Sequence, residues 1–341
     1  MRYANYEASR RAASKWLMRM SRLRKSLRDE WQARRTYRPG CGRLHPVRVL
    51  KAAPDDAIPL ITNVRDEAGQ LPSFLEHYRG LGVRRFLVVD DRSGDGTREL
   101  LLDQPDVDLY SSELRYRDAG LGTLWHYDLA HRYGIDRWYV LVDADEYLVY
   151  DGMARHGLSD LAAQLEARKL RRLLAPMIDL YPSVPLSQAV MQPAQMPWEV
   201  ADHFDASGYS MAARPYGPLI EGGGMTRVFG DTLRQKFPLL YWDRRTSHSL
   251  TIHFPLPYGH SPYEPLGALL HFKCFSDLRA RSIDAVVDNQ HASGAMAYRR
   301  YFLEASANPD LTLMSADSVR YEGPAQLRSL GLIGSVFSNS C

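Results

Sequence analysis

The chain has 341 residues, 45% of them hydrophobic, and a formal net charge of +3, which is room for one large or two modest domains around a substantial core. No apolar run reaches the length of a membrane-spanning helix and no hydrophobic signal region opens the chain. Its three cysteines, Cys41, Cys274 and Cys341, are widely spaced and odd in number; neither a zinc pattern nor a disulfide framework is expected, and a cytoplasmic location is.

The small net charge hides an asymmetry. Residues 1–40 hold 12 Lys/Arg against 3 Asp/Glu, or +9, so the remainder carries −6. Within that basic segment Trp16, Met20, Leu23, Leu27 and Trp31 recur at helical spacing, which predicts an amphipathic basic helix. Three fates are open to it: lying peripherally on the inner face of an anionic membrane, packing on the rest of the chain or on a second copy as a homo-oligomer, or remaining a loose arm. Basic arms also bind nucleic acid, but no nucleic-acid partner is expected here. Residues 39–54 read as a linker, so residues 1–54 form a first unit.

From residue 55 the pattern is strand, helix, strand, helix. The apolar run 58–63 breaks into Val64-Arg65-Asp66-Glu67. Leu71, Phe74, Leu75, Tyr78 and Leu81 then mark one helix face, with Pro72 near its start and Gly82 past its end. Residues 85–90 read as a strand, followed by the polar loop Asp91-Arg-Ser93-Gly-Asp95-Gly and a helix over 97–102. Asp95 and Thr97 read as turn and cap residues. A strand at 107–110 and an imperfect helix over 121–131 follow; Arg115 and Arg117 between them read as a solvated face. The next run, Trp138-Tyr-Val-Leu-Val-Asp143-Ala-Asp145-Glu146, is apolar and β-branched, and it ends in three carboxylates on four positions. If the strand continues through Asp145, Asp143 and Asp145 project to one side about 7 Å apart. Two such carboxylates repel unless a cation lies between them, and a hard divalent ion completed by a diphosphate suits that place. Repeated strand–helix units with polar groups at strand ends describe an open α/β sheet, whose ligands bind at the carboxyl ends of the strands.

Four of these segments, in this order, resemble the family 2 glycosyltransferases, in particular the bacterial branch related to family 92: Ile61-Thr-Asn-Val-Arg-Asp-Glu67, residues 71–82, Val88-Val-Asp-Asp-Arg-Ser-Gly-Asp-Gly-Thr97, and the Asp-Ala-Asp-Glu stretch. The resemblance covers about residues 57–155. It implies a GT-A fold, Rossmann-like, with an open mixed sheet and helices on both faces. It also implies a nucleotide-sugar donor, UDP-linked by the likeness of Asp91 to a nucleobase contact, and a glycan or lipid-linked acceptor in polysaccharide or glycoconjugate biosynthesis. By the same resemblance Asp145 binds Mn²⁺ or Mg²⁺, and Asp143 contacts the metal or the donor. Glu67 holds the ribose, and Asn63 and Arg65 line the pocket. His271 is a candidate third metal ligand and Lys273 a diphosphate contact; an imidazole ligand favours Mn²⁺.

Beyond residue 155 a helix over 158–170 and a strand over 173–177 continue the parallel pattern. Pro182, Pro185, Pro193 and Pro197 then mark a long connection of the kind that often borders an active site. The halves of the GT-A domain are expected at 55–180, for the nucleotide sugar, and 181–305, for the acceptor, with a C-terminal extension over 306–341. An inverting transferase needs a carboxylate base for the acceptor hydroxyl. The late Glu-Asp pair of many family members is missing, which leaves Asp179, then Asp205 and Glu221, as candidates. Two other readings stand beside this one. A sugar nucleotidyltransferase would normally carry a glycine-rich phosphate loop after the first strand, which Asn63–Glu67 lacks. A non-catalytic polysaccharide-assembly subunit would have no need of both Asp143 and Asp145.

Overall fold

The structure is a computed structural model and describes residues 2–50, 57–192, 195–249 and 251–337. Residues 51–54 of the expected linker, Pro193 and Cys341 lie outside the described residues. Helices α1 (Tyr6–Ser14) and α2 (Trp16–Thr36) open the chain, and strand β1 (Leu44–Arg48) follows. The predicted alternation then appears as β2 (Leu60–Val64), α3 (Leu71–Gly80), β3 (Phe86–Asp90), α4 (Thr97–Leu102), β4 (Val107–Ser112), α5 (Thr123–Arg132) and β5 (Arg137–Leu141). Next come β6 (Glu146–Val149), α6 (Leu158–Ala167), β7 (Ala175–Asp179) and the short strands β8 (His203–Asp205), β9 (Ser210–Arg214) and β10 (Gly217–Glu221). The rest is α7 (Gly224–Phe229), β11 (Gln235–Lys236), β12 (Leu239–Trp242), β13 (Ser247–His248), β14 (Pro255–Leu256), β15 (Ala268–His271), α8 (Leu278–Asp288), α9 (Ala292–Ala307), β16 (Ser318–Arg320) and α10 (Pro324–Ser329). No helix among the described residues is long and apolar enough to cross a membrane.

The principal sheet has six strands in the order β1-β4-β3-β2-β5-β12. Its four central strands are parallel, and β1 and β12 run antiparallel at its edges. Strand side chains alternate between faces, and the apolar residues here do so in full. Leu60, Val88, Leu109 and Val140 pack on one face with Phe74, Tyr78 and Leu161 of α3 and α6. Ile61, Leu87, Val89 and Tyr139 pack on the other with Trp125 and Leu129 of α5. Both faces are therefore covered by helices, and the parallel strands all point their carboxyl ends at one rim. Strand β1 corrects the linker reading: four of its five residues pair with β4, which buries Leu44 beside Tyr110.

A second correction concerns the carboxylate motif. The strand ends at Leu141, and residues 142–145 turn before β6 begins at Glu146. The backbone N–H of Glu146 closes that turn on the carbonyl of Asp143 at 3.1 Å. Asp143 and Asp145 thus meet around a turn, not along an extended strand. The turn also takes the chain out of the principal sheet. Strand β6 pairs antiparallel with β15, in a four-stranded sheet ordered β11-β7-β15-β6. Strand β7 belongs to that second sheet, parallel to β15, so it does not add a parallel unit to the first.

Strand β6 is an edge, and an edge leaves backbone groups needing partners. Helix α3 supplies them. The Tyr78 hydroxyl donates to the Glu146 carbonyl at 2.9 Å and accepts from the Leu148 N–H at 3.0 Å, while His77 Nε2 bonds the Leu148 carbonyl at 2.9 Å. Tyr78 is fully buried, so Tyr78→Phe strands two backbone groups away from water. It should lower unfolding stability by about 1–3 kcal/mol, read by urea denaturation. Tyr241→Phe, whose hydroxyl bond lies at the surface, should cost far less; equal losses would show that Tyr78 does not brace β6.

Candidate active site

The rim formed by the carboxyl ends of β2, β3 and β5 opens into a cleft of about 600 Å³, within the roughly 300–1,000 Å³ usual for small-molecule sites. Asn63, Arg65, Glu67, Asp91, Asp143, Asp145 and Lys273 all line it, so seven residues expected at a nucleotide-sugar site share one cavity. The loop after β2 is fixed by the loop after β3. The N–H groups of Asp66, Glu67 and Ala68 donate in turn to Ser93 Oγ, Thr97 Oγ1 and Asp95 Oδ2 at 2.8 to 3.0 Å. Asp95 and Thr97 therefore do the turn work expected of them.

The carboxylates of the turn are neutralised by lysines from distant strands. Lys236 Nζ on β11 contacts Asp143 and lies 2.6 Å from Glu146. Glu146 also accepts the Asp143 N–H at 3.1 Å, so it braces the turn from below. Lys273, just past β15, lies 3.2 Å from Asp145. Burial works to raise the Asp145 carboxyl, but Lys273 and His271 hold it well below the usual carboxylate range. Lys236 likewise outweighs burial and keeps Asp143 low. Burial pushes Glu67 up to about 7 despite Arg281, and Asp91 up to about 6.

The donor set fits a divalent cation. Asp143, Asp145 and Glu146 each offer an oxygen within 4.8 Å of the others, the hard ligands such an ion prefers. His271 Nε2 faces Asp145 at 3.5 Å. Its Nδ1 is hydrogen-bonded to Asp179 Oδ1 at 2.8 Å, a contact that fixes the orientation of the imidazole ring.

That bond changes the reading of Asp179. It is 1% exposed, ion-paired with the buried Arg234, and accepts the Met225 N–H of α7 at 3.3 Å. The triple glycine belongs to this arrangement. Gly223 has φ +86°, and a Cβ there would meet Tyr209 at 3.1 Å and Asp179 at 3.4 Å, so the start of α7 reaches Asp179 only because the position is glycine. Against the pull of burial, Arg234 keeps Asp179 low. Asp179 orients His271 and does not open to the cleft. Asp205 is buried against Arg227 and the Tyr181 hydroxyl, and Glu221 ends β10. None of the three candidate bases lines the cleft.

The cleft's far wall is α8 and the start of α9, to which the sequence motifs assign no role. Arg281, Asp284, Asp288, His291 and Tyr298 line it. Arg281 pairs with Glu67 at 2.7 Å, and Asp288 pairs with Arg65 at 3.1 Å and Arg115 at 2.9 Å. Arg115 also bonds Asp91 at 3.0 Å, so it is a bridge across the rim and not a solvated face. The spacing of Arg281, Asp284 and Asp288 marks one polar helix face and was the available signal. Asp284 is exposed in the cleft and makes no ion pair among the described residues.

No protein-family model matches the chain, and no curated protein matches it. Among solved structures, a putative glucose-1-phosphate thymidylyltransferase from Bacillus anthracis aligns at 7% identity over 41% of this chain and 67% of that one, with a TM-score of 0.24. The inositol-1-phosphate CTP transferase from T. maritima aligns at 12% over 38% and 56%, TM-score 0.22; this chain thus spans little more than half of its length. The UDP-glucose pyrophosphorylase from Acinetobacter baumanii aligns at 10% over 78% and 87%, TM-score 0.27. Likeness this slight carries no argument about chemistry.

Removing one partner of a buried ion pair typically costs about 3–5 kcal/mol. Asp179→Ala should lower stability by about that amount, since the buried Arg234 then keeps only Asp231, 4.0 Å away, as counter-charge. Asp205→Ala should cost less, because its partner Arg227 is partly exposed. A thermal melt of Asp179→Ala that matches the parent would remove Asp179 from this structural role.

Proposed function

We propose that this chain is a metal-dependent glycosyltransferase of the GT-A type, moving a sugar from a nucleotide-sugar donor to a glycan or lipid-linked acceptor. The observation that carries the reading is the single cleft at the carboxyl ends of parallel strands. There Asp143 and Asp145 stand beside Lys273, with Glu67 and Asp91 farther along the same wall. The four ordered motifs that resemble family 2 glycosyltransferases supply all of those residues but Lys273. Asp91 would accept from a uracil-type imide and Glu67 from the ribose. Lys273 and Arg281 would offset diphosphate charge. Asp143 and Asp145, with His271 beside them, would hold a Mn²⁺ or Mg²⁺ ion, which when bound supplies Lewis-acid stabilisation of the leaving diphosphate.

Nucleotidyl transfer, which also uses carboxylates and a metal on an α/β sheet, is the second reading. It calls for backbone amides that cradle phosphates after the first strand. The amides of Asp66, Glu67 and Ala68 already donate to Ser93, Thr97 and Asp95, which favours the transferase of sugars. The two readings release different products. A glycosyltransferase should release a nucleoside diphosphate from a UDP-sugar in the presence of Mn²⁺. A nucleotidyltransferase should release pyrophosphate from a nucleoside triphosphate and a sugar phosphate. Asp145→Asn, nearly isosteric, should keep the fold and lose Mn²⁺-dependent stabilisation by UDP-sugars. If the variant is stabilised as the parent is, Asp145 holds no metal. If pyrophosphate is the only product, the glycosyltransferase reading fails.

With Asp179, Asp205 and Glu221 outside the cleft, the base for the acceptor hydroxyl falls to Asp284, the exposed cleft carboxylate without a cation among the described residues. Attack opposite the leaving diphosphate would invert the anomeric centre. General-base removal costs about 10²–10⁴ in rate. Asp284→Asn should therefore lower kcat by about that factor while the affinity for UDP, measured by calorimetry, stays unchanged. Full turnover by this variant would exclude Asp284 as the base.

A further inference from the structure

Helix α2 is docked the unusual way round. An amphipathic helix ordinarily turns its apolar stripe to the core. Here the buried positions are Ser26, Glu30 and Ala33. Ser26 Oγ accepts the Tyr258 N–H at 3.1 Å, Glu30 pairs with Arg245 at 3.0 Å, Asp29 accepts the Tyr258 hydroxyl at 2.7 Å, and Arg22 donates to the Tyr263 hydroxyl at 2.7 Å. The apolar stripe is left facing water. Trp16 is 70% exposed, Leu17 74%, Leu23 50%, Leu27 54% and Trp31 54%.

The exposed side of α2 is also uniformly basic. Arg19, Arg24, Arg28, Arg34 and Arg35 are all exposed, and the guanidinium of Arg35 stacks 3.6 Å over the Trp31 ring. The two acids of the helix, Asp29 and Glu30, are spent on the docked side. Exposed indoles and leucines interleaved with arginines, without a carboxylate among them, complement one kind of surface: anionic headgroups above an acyl layer. Tryptophan prefers that interface because its ring is apolar and its N–H is polar. We infer that the outward face of α2 is a peripheral membrane-binding surface selective for anionic lipid. Because α2 is fastened by polar contacts on its other side, the face is presented without the helix leaving the protein. The inference does not depend on the reaction carried out in the cleft.

The test is co-sedimentation of the full chain with vesicles of phosphatidylcholine alone and of phosphatidylcholine mixed with phosphatidylglycerol. The parent should pellet with the anionic vesicles at low salt, stay in solution with the zwitterionic ones, and be released at high salt. Each arginine near an anionic surface is worth about fivefold in partitioning, so R19Q/R24Q/R34Q should weaken binding roughly hundredfold. W16S/L27S/W31S should lose binding and the blue shift of tryptophan fluorescence on adding vesicles. All six positions are exposed, so both variants should melt as the parent does. Failure of the parent to bind anionic vesicles at low salt, or undiminished binding by both variants, overturns the inference. So does a dimer in sedimentation velocity that the tryptophan variant dissolves while the parent ignores vesicles, which would make the face a contact between copies.

Discussion

Three carboxylates at the turn between β5 and β6 are the constraint on which much of this structure depends. Asp143, Asp145 and Glu146 stand close enough to repel strongly, and Glu146 is 1% exposed. Buried charge is tolerated only when paired. The nearest strands of the principal sheet carry no cations at that place; the lysines come from β11 and from the second residue after β15. The second sheet must therefore close against the turn for the turn to exist. Its own interior is tied by the buried pair of Asp179 and Arg234, and its buried edge strand β6 is closed by Tyr78 and His77 of α3. Chain direction, sheet boundary and site electrostatics all follow from one acidic turn.

This also shows what kinds of information were present in the sequence. Strands and helices from residue 60 to residue 141 rest on local periodicity, and their apolar alternation is enough to state them; α4, at Thr97–Leu102, falls where its pattern predicts. The cleft residues on that half were legible because open α/β sheets gather ligands at strand ends. What was not legible was pairing at long range. Nothing near Asp143 announces Lys236, and nothing near Glu67 announces Arg281, because those contacts join residues 93 and 214 positions apart. The same blindness misassigned Asp179. Its position at a strand end is that of a catalytic acid, and only the side chains of Arg234 and His271 reveal it as a positioning residue. The turn at residues 142–145 was misread for a different reason. β-branched apolar residues run right up to it, and the reversal is held by Glu146 capping the Asp143 N–H, a contact with no composition signal.

The charged pairs around the cleft are not equivalent. Asp179 and Arg234 have side chains 1% and 4% exposed, so their separation would leave charge in a dry interior at high cost. Arg281–Glu67, Arg65–Asp288 and Arg115–Asp288 have partners between 16% and 36% exposed. Pairs that reach water contribute little net stability, because solvent competes for both partners. A charged ligand entering the cleft can exchange the second kind of pair without disturbing the first. An anionic group can take over Arg281, and the Glu67 carboxylate it leaves can then accept from a hydroxyl. Helix α8, held mainly by these exchangeable pairs on its cleft side, is thus the wall able to readjust around a ligand. The turn and the second sheet, held by buried pairs, keep Asp143, Asp145 and His271 in fixed relation. A rigid acidic centre faced by a wall of exchangeable ion pairs lets the site admit a charged ligand without reorganising the groups that would do its chemistry.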